Sequence, residues 1–216
     1  MENMKAPVNQ HRMQQQESTG KNSPRQRIIS KARHHFFGFG IRSVTMDDLA
    51  KELGMSKKTI YTHFSSKEAL LEAVILDKAR DVEKDLDRIT SNFSSDFLDS
   101  LRQLFQRMQH HLDEVKPPFL RDMQREAPEM FHVVEIRRRD LIHRYFGKLV
   151  EKGQDTGIIR KDISAGLIVE ILLAAAQSII NPPKLAELGL EPKKCFSAIM
   201  TVIFEGVITE RERPTL

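Results

Sequence analysis

The sequence predicts an all-α chain of about nine helices, a small three-helix unit at the N-terminal end followed by a larger helical body. Three observations lead there. Apolar residues recur at intervals of three and four almost throughout, and no stretch of useful length alternates with a period of two. Pro and Gly divide the pattern into segments at Gly38, Gly40, Gly54, Pro117-Pro118, Ala127-Pro128, Gly153 to Gly157 and Pro182-Pro183. With 216 residues, 40% of them hydrophobic, the chain can bury a real core in one or two units.

Residues 1–23 are rich in Gln, Asn, Ser and charge, with too few large apolar side chains to offset the entropy of ordering, so a disordered tail is expected. Ser23 then caps a helix whose first position is Pro24, with Ile28, Ile29, Ala32, Phe36 and Phe37 along one face; Gly38 and Gly40 should stop it. Thr45 supplies the next N-cap, with Asp47 and Asp48 in the first turn where the helix dipole favours negative charge, and the helix Met46 to Leu53 buries Met46, Leu49, Ala50 and Leu53. A short helix from Ser56 to Phe64 follows Gly54. Ser66-Lys67-Glu68 opens a long helix with Leu70, Leu71, Val74, Ile75, Val82, Leu86 and Ile89 on its apolar stripe. Further helices are expected at about 95–114, 119–126, 129–152, 163–180 and 192–209. The division is 24–68 for the N-terminal domain and 69–216 for the body.

Charge is unevenly spread. Residues 1–67 carry 12 Lys and Arg against five Asp and Glu, whereas the remainder carries 22 against 25, so a basic module sits on a mildly acidic body, as expected of a nucleic-acid-facing unit attached to something with another task. The single Cys195 allows no internal disulfide, and no Cys/His spacing resembles a zinc site, which suits a reducing cytoplasm. The N-terminus has no apolar signal region, and Ile163 to Ile180 includes Glu170 and Gln177 and falls short of a bilayer span, so it reads as a buried helix and no membrane is expected. His34-His35 and His110-His111 are neighbours on helices, their side chains about 100° apart, and make no metal site. No nucleophile elbow, phosphate loop or zinc-protease motif occurs; neither an enzyme nor a cofactor is expected.

The stretch from Thr45 to Phe64 has the mechanics of a helix-turn-helix. A second helix enters a DNA major groove only after a tight turn, which Gly54 permits, and with a capped N-terminus, which Ser56 provides. Ile60 and Phe64, four apart, would anchor its inner face. Lys57, Lys58, Thr59, Tyr61 and His63 remain for phosphates and base edges, or for an ordinary solvated face. The basic tail could likewise reach a minor groove or remain solvated.

These residues resemble the TetR/AcrR family of bacterial regulators. Phe36 and Gly40, then Thr45-Met46-Asp47-Asp48-Leu49-Ala50, Gly54-Met55-Ser56-Lys57-Lys58-Thr59-Ile60-Tyr61-Thr62-His63-Phe64 and Ser66-Lys67-Glu68-Ala69-Leu70 carry the resemblance, which covers about Arg25 to Val74. It implies that Thr45, Tyr61 and Lys67 bond backbone phosphates, that Lys57, Lys58 and Thr59 face the groove behind the Ser56 cap, and that His63 lies at the phosphate edge. Lys58 stands where many relatives keep a small residue, so the operator does not follow by analogy. Double-stranded DNA with a near-palindromic operator, a small-molecule effector and a second copy of the chain are the partners expected of a repressor; an activator, or a helical ligand-binding protein without specific DNA binding, are the alternatives.

In the body, Phe105, Met108, Phe119, Met123, Met130 and Phe131 could line an adaptable apolar pocket or form plain core, and the resemblance favours a pocket among these helices. Arg121, Arg125 and Arg137-Arg138-Arg139 could meet an anionic ligand or form a solvated face. Ile163 to Ile180 is apolar nearly all round and needs a second cover; with the last helix it should form a twofold dimer interface through Leu167, Ile171, Ala175, Phe196, Ile199, Met200, Ile203 and Phe204.

Overall fold

The structure, a computed structural model, describes residues 23–91 and 97–207. The expected disordered tail lies almost wholly outside the described residues, as does the last helix beyond residue 207. Helix α1 (Pro24–Phe39) begins as expected, the Ser23 Oγ accepting the Gln26 N–H at 3.2 Å, but it runs through Gly38 and stops at Gly40. α2 (Met46–Leu53) and α3 (Lys57–His63) follow, each N-capped by the hydroxyl read from the sequence, Thr45 and Ser56. α4 (Lys67–Ser91) leads out of this unit. Its 25 residues span about 37 Å at the rise of an α-helix.

Beyond it lie α5 (Phe97–Asp113), α6 (Pro117–Glu126) and a long rod made of α7 (Pro128–Leu141), a π-helical turn (Ile142–Phe146) and α8 (Gly147–Asp155). After them come α9 (Ala165–Ile179), α10 (Pro182–Leu188) and α11 (Pro192–Val207). Three differences from the sequence reading have one cause. Pro117-Pro118, Pro128 and Pro182-Pro183 are read as dividers, yet they open α6, α7 and the unforeseen α10, because proline's fixed φ and missing N–H suit the first turn of a helix.

The buried residues form two cores. One combines α1, α2, α3 and the first half of α4 with Phe119 and Met123 of α6; the other combines Leu86 and Ile89 of α4 with α5, the rod, α9 and α11. The N-terminal core is therefore completed by a helix from the body. Phe37 and Phe119 meet edge to face with centroids 4.7 Å apart, Lys116 donates its N–H to the Phe37 carbonyl at 3.0 Å, and Arg42 donates its N–H to the Asp122 carboxylate at 2.9 Å.

One expectation is overturned on α11. Phe196, Ile199, Met200 and Phe204, read as interface residues, are at most 7% exposed and belong to the chain's own core, with Ile203 packed against it. The apolar stripe of that helix is wide, so periodicity does not say which part of it turns inward; the outward residues are Lys194, Ala198, Thr201, Val202, Glu205 and Gly206, with Val202 73% exposed. On α9, Leu167 and Ile171 do stay exposed, at 54% and 49%, and Ala175 is half-buried.

Gly40 holds φ +92° and ψ 164°, backbone that glycine alone adopts readily, and a Cβ there would lie 2.6 Å from the Asp122 carboxylate. Gly38 is helical, with nothing within 4 Å of an added Cβ. Gly40→Ala should therefore cost about 1–3 kcal/mol, whereas Gly38→Ala should stabilise by about 0.5–1 kcal/mol. Urea unfolding of the two variants should show midpoints moving in opposite directions.

Candidate nucleic-acid interface and cavity

The α2–α3 unit is closed by side chains close in sequence. The Thr45 Oγ1 accepts the Asp48 N–H at 3.1 Å and donates its proton to the Asp48 carboxylate at 2.6 Å. Gly54, left-handed at φ +63°, ends α2 and lets the Met55 N–H return to the Ala50 carbonyl at 2.9 Å, which makes the turn tight. The Ser56 Oγ then accepts the Thr59 N–H at 3.0 Å and pairs with the Thr59 hydroxyl at 2.8 Å. Ile60 and Phe64 are buried, and the Arg25 guanidinium lies 5.0 Å over the Phe64 ring, so the inner side of α3 is anchored on α1.

The outward side of α3 carries Lys57, Lys58 and Tyr61, all exposed; Thr45 and Ser56 are exposed at the heads of their helices. Thr59, His63 and Lys67 are half-buried. Burial lowers the pKa of the Lys67 ammonium against the pull of Glu68, Asp122 and Glu126. Lys57 pairs with Asp47 across the turn at 2.8 Å, and that hydrogen bond holds its ammonium above the ordinary lysine value. The arrangement is a short helix held rigidly from within, presenting two cations and a phenol on one convex edge, the chemistry that phosphates and base edges accept.

A cavity of about 260 Å³ opens in the body, walled by α1, α4, α5, α6, α7, the π turn, α9 and α11. Of the six residues offered for it, Met108, Phe119, Met123 and Phe131 line it. Phe105 instead packs edge to face against Phe196 and Phe204 in the core, at 6.3 and 5.1 Å, and Met130 packs against the N-terminal core. Phe196, expected at a subunit interface, is on the cavity wall, as is Phe37 from α1. The sequence reading also missed Lys78, His111 and Glu135, and left Arg138 undecided. A signal existed: Lys78 interrupts the stripe Leu71, Val74, Ile75, Val82, His111 the stripe Leu104, Met108, and Arg138 the stripe Phe131, Val134, Leu141. A charged residue on a buried stripe has a reason to be there.

Lys78 and His111 are the inner end of an ionic network that leads to α1. The Lys78 ammonium donates to Nδ1 of His111 at 3.0 Å and pairs with Glu114 at 3.0 Å. His111 Nε2 bonds Asp85 at 3.0 Å, which puts the ring proton on Nε2; burial, then the Lys78 charge, lowers the ring's pKa and keeps it neutral. Glu114 in turn accepts from Arg33 of α1 at 2.7 Å, and Arg33 also holds Asp81 at 2.5 Å and Asp77 at 3.2 Å. Arg160 and Asp162 form a separate surface pair.

The sequence model for bacterial regulatory proteins of the tetR family matches residues 28–74. Over 191 residues the chain is 25% identical to the HTH-type transcriptional repressor DhaR of Mycobacterium sp. (strain GP1), a match covering 87% of this chain and 94% of that protein. Among solved structures, the regulatory protein TetR from Rhodobacter sphaeroides aligns with a TM-score of 0.64 at 19% identity, over 85% of this chain and 98% of that one. SmeT, the repressor of the Stenotrophomonas maltophilia multidrug efflux pump SmeDEF, gives 0.61 at 15% identity, over 90% and 95%, and its complex with triclosan 0.59 at 15%, over 88% and 94%. At these identities the solved structures establish a shared fold.

Burial on its own would raise the Glu114 carboxyl, but Arg33 and Lys78 outweigh it and hold the pKa below the usual range. A carboxylate depressed in the folded state contributes stability above its unfolded pKa, about 4.3, and loses it as pH falls through the lower folded value. The wild-type urea midpoint should therefore fall between pH 7 and pH 3.5 by more than that of Glu114→Gln, which starts lower and varies less with pH.

Proposed function

We propose that the chain is a transcriptional regulator of the TetR type, an operator-binding repressor released by a small molecule and working as a twofold dimer in the cytoplasm; the tetR-family match over residues 28–74 and the likeness to DhaR along most of both chains support this. The observation that carries the release mechanism is the double membership of α6: Phe119 and Met123 lie in the core of the N-terminal unit and on the wall of the cavity. Phe37 adds a second link, since it meets Phe119 edge to face and reaches the same cavity from α1. A ligand that prefers a different setting of these rings shifts the position of α1 to α3, by as much as its affinities for the two settings differ. DhaR is named a repressor, and SmeT, a repressor by its name, has been solved with triclosan bound; both support a ligand-released repressor here.

In this reading residues 24–68 are the DNA-binding domain and 69–216 the effector and dimerisation domain. Lys57, Lys58, Tyr61 and Thr45 meet DNA directly, with His63 and Lys67 at the phosphate edge. The hydroxyls of Ser56 and Thr59 hold the N-terminus of α3 in register. The exposed Leu167 and Ile171 on α9 and Val202 on α11 favour a second copy as their cover. The twofold sets two α3 helices about 34 Å apart, one DNA turn, on a near-palindromic site. Light scattering should then give twice the 24.9 kDa of the chain.

The test is fluorescence anisotropy on a labelled duplex from the region upstream of its own gene, against a scrambled duplex, over a range of salt. The native duplex should bind more tightly, with affinity falling steeply as salt rises. Lys57→Ala and Tyr61→Phe should each weaken binding severalfold without altering the dimer, and Lys57→Ala should flatten the salt slope by about one ion per subunit. Asp47→Asn, which frees Lys57 and removes an anion from the edge of the interface, should tighten it. Unchanged affinity in all three variants removes α3 as the recognition helix.

A further inference from the structure

The charged side chains on the cavity wall differ in what they already hold. Lys78 and His111 are already committed to carboxylates of the chain itself, Glu114 and Asp85, in a network whose charges are matched internally. Glu135 and Arg138 on α7 are in the opposite situation. Arg138 is half-buried, and among the described residues its partner is Glu135 Oε2 alone, at 2.5 Å. A guanidinium has five donors and one carboxylate oxygen does not engage them all, so Arg138, on the cavity wall and with 28% of its side chain exposed, has donors left to offer a ligand. A cationic ligand would meet Arg137 and Arg138 against one carboxylate. Burial lowers the Arg138 pKa and raises that of Glu135, the mark of a pair short of compensating contacts.

Resting on the ligand-released reading above, we propose that the effector is a compact apolar carboxylate whose head group docks on Arg138 in competition with Glu135, its hydrocarbon body lying against Phe131, Val134 and Phe146. A planar carboxylate fits the guanidinium fork with two parallel hydrogen bonds, a geometry no alcohol or amide reproduces. At about 260 Å³ the cavity is smaller than those that hold drug-sized ligands, so the acid is of the size of a medium-chain fatty acid or a phenyl-substituted short-chain acid. Arg138 is then the specificity-determining residue, and Glu135 the internal ligand that occupies it until the effector arrives.

Calorimetric titration of the full-length protein with octanoate, decanoate and 4-phenylbutanoate, each against the alcohol of the same skeleton, tests this. The acids should bind at least about tenfold more tightly than the alcohols. Arg138→Gln should weaken the acids about tenfold and leave the alcohols unchanged, and Glu135→Gln should tighten the acids; a misfolded variant would lose both classes. Equal binding of acid and alcohol, acid binding indifferent to both substitutions, or no binding by any of the six compounds overturns the proposal. Duplex anisotropy in the same samples separates the two readings. Acid binding that follows the variants but leaves operator affinity unchanged keeps the carboxylate site and removes the release mechanism, whereas release by the alcohols as readily as by the acids keeps the release mechanism and removes the carboxylate site.

Discussion

The contact between α1 and α6 is the constraint from which the rest of the arrangement follows. Three helices of this size do not enclose a core by themselves: with α1 to α3 and the start of α4 in place, Phe37 would remain open on one side. Phe119 covers it and Met123 extends the cover, while the Lys116 amide bonds the Phe37 carbonyl and the Arg42 amide the Asp122 carboxylate. Gly40 is glycine because the loop must pass the Asp122 carboxylate at a distance that leaves no room for a Cβ. A unit that borrows its cover from the body is mechanically linked to the body, and the link between the cavity wall and the α1–α3 unit is this shared burial.

The Arg33 network is a second, polar tie between the same parts, with different consequences. Arg33 gathers carboxylates from α4 and the end of α5, and Lys78 brings the network to the cavity wall. Its internal charges are matched within the folded chain, so it holds α1 against α4 in one register. Apolar contacts such as Phe37 with Phe119 tolerate sliding, whereas hydrogen-bonded charges do not. α1 is thus held along α4 by a network of charges, and along α6 by ring packing with two amide hydrogen bonds at its edge.

Elsewhere in the molecule the same division between satisfied and unsatisfied groups recurs at the surface and in the cavity. Lys57 has its own counter-ion in Asp47, a pairing that DNA phosphates would replace, while Lys58 projects with no carboxylate paired to it among the described residues. Arg138 in the cavity is held by a single carboxylate, and Leu167, Ile171 and Val202 leave apolar surface exposed. Each is a group whose environment in the isolated chain is incomplete.

Local chemistry was legible in the sequence wherever neighbours within a few residues decide the outcome. The caps at Ser23, Thr45 and Ser56, the turn at Gly54 and the inward pair Ile60 and Phe64 follow from hydrogen-bonding reach and helical period, and the recognition unit was readable for that reason. Prolines misled where they were taken as breaks, because a residue barred from a helix interior is favoured at its first turn. Tertiary structure alone decided which part of a wide apolar stripe faces inward, so Phe196, Ile199, Met200 and Phe204 went to the core. It also decided that α6 serves both the N-terminal core and the cavity wall, and that Arg137 and Arg138 of the run reach the cavity, Arg138 half-buried there and paired with one carboxylate. Periodicity specifies that a face exists; only packing against residues distant in the chain specifies what that face meets.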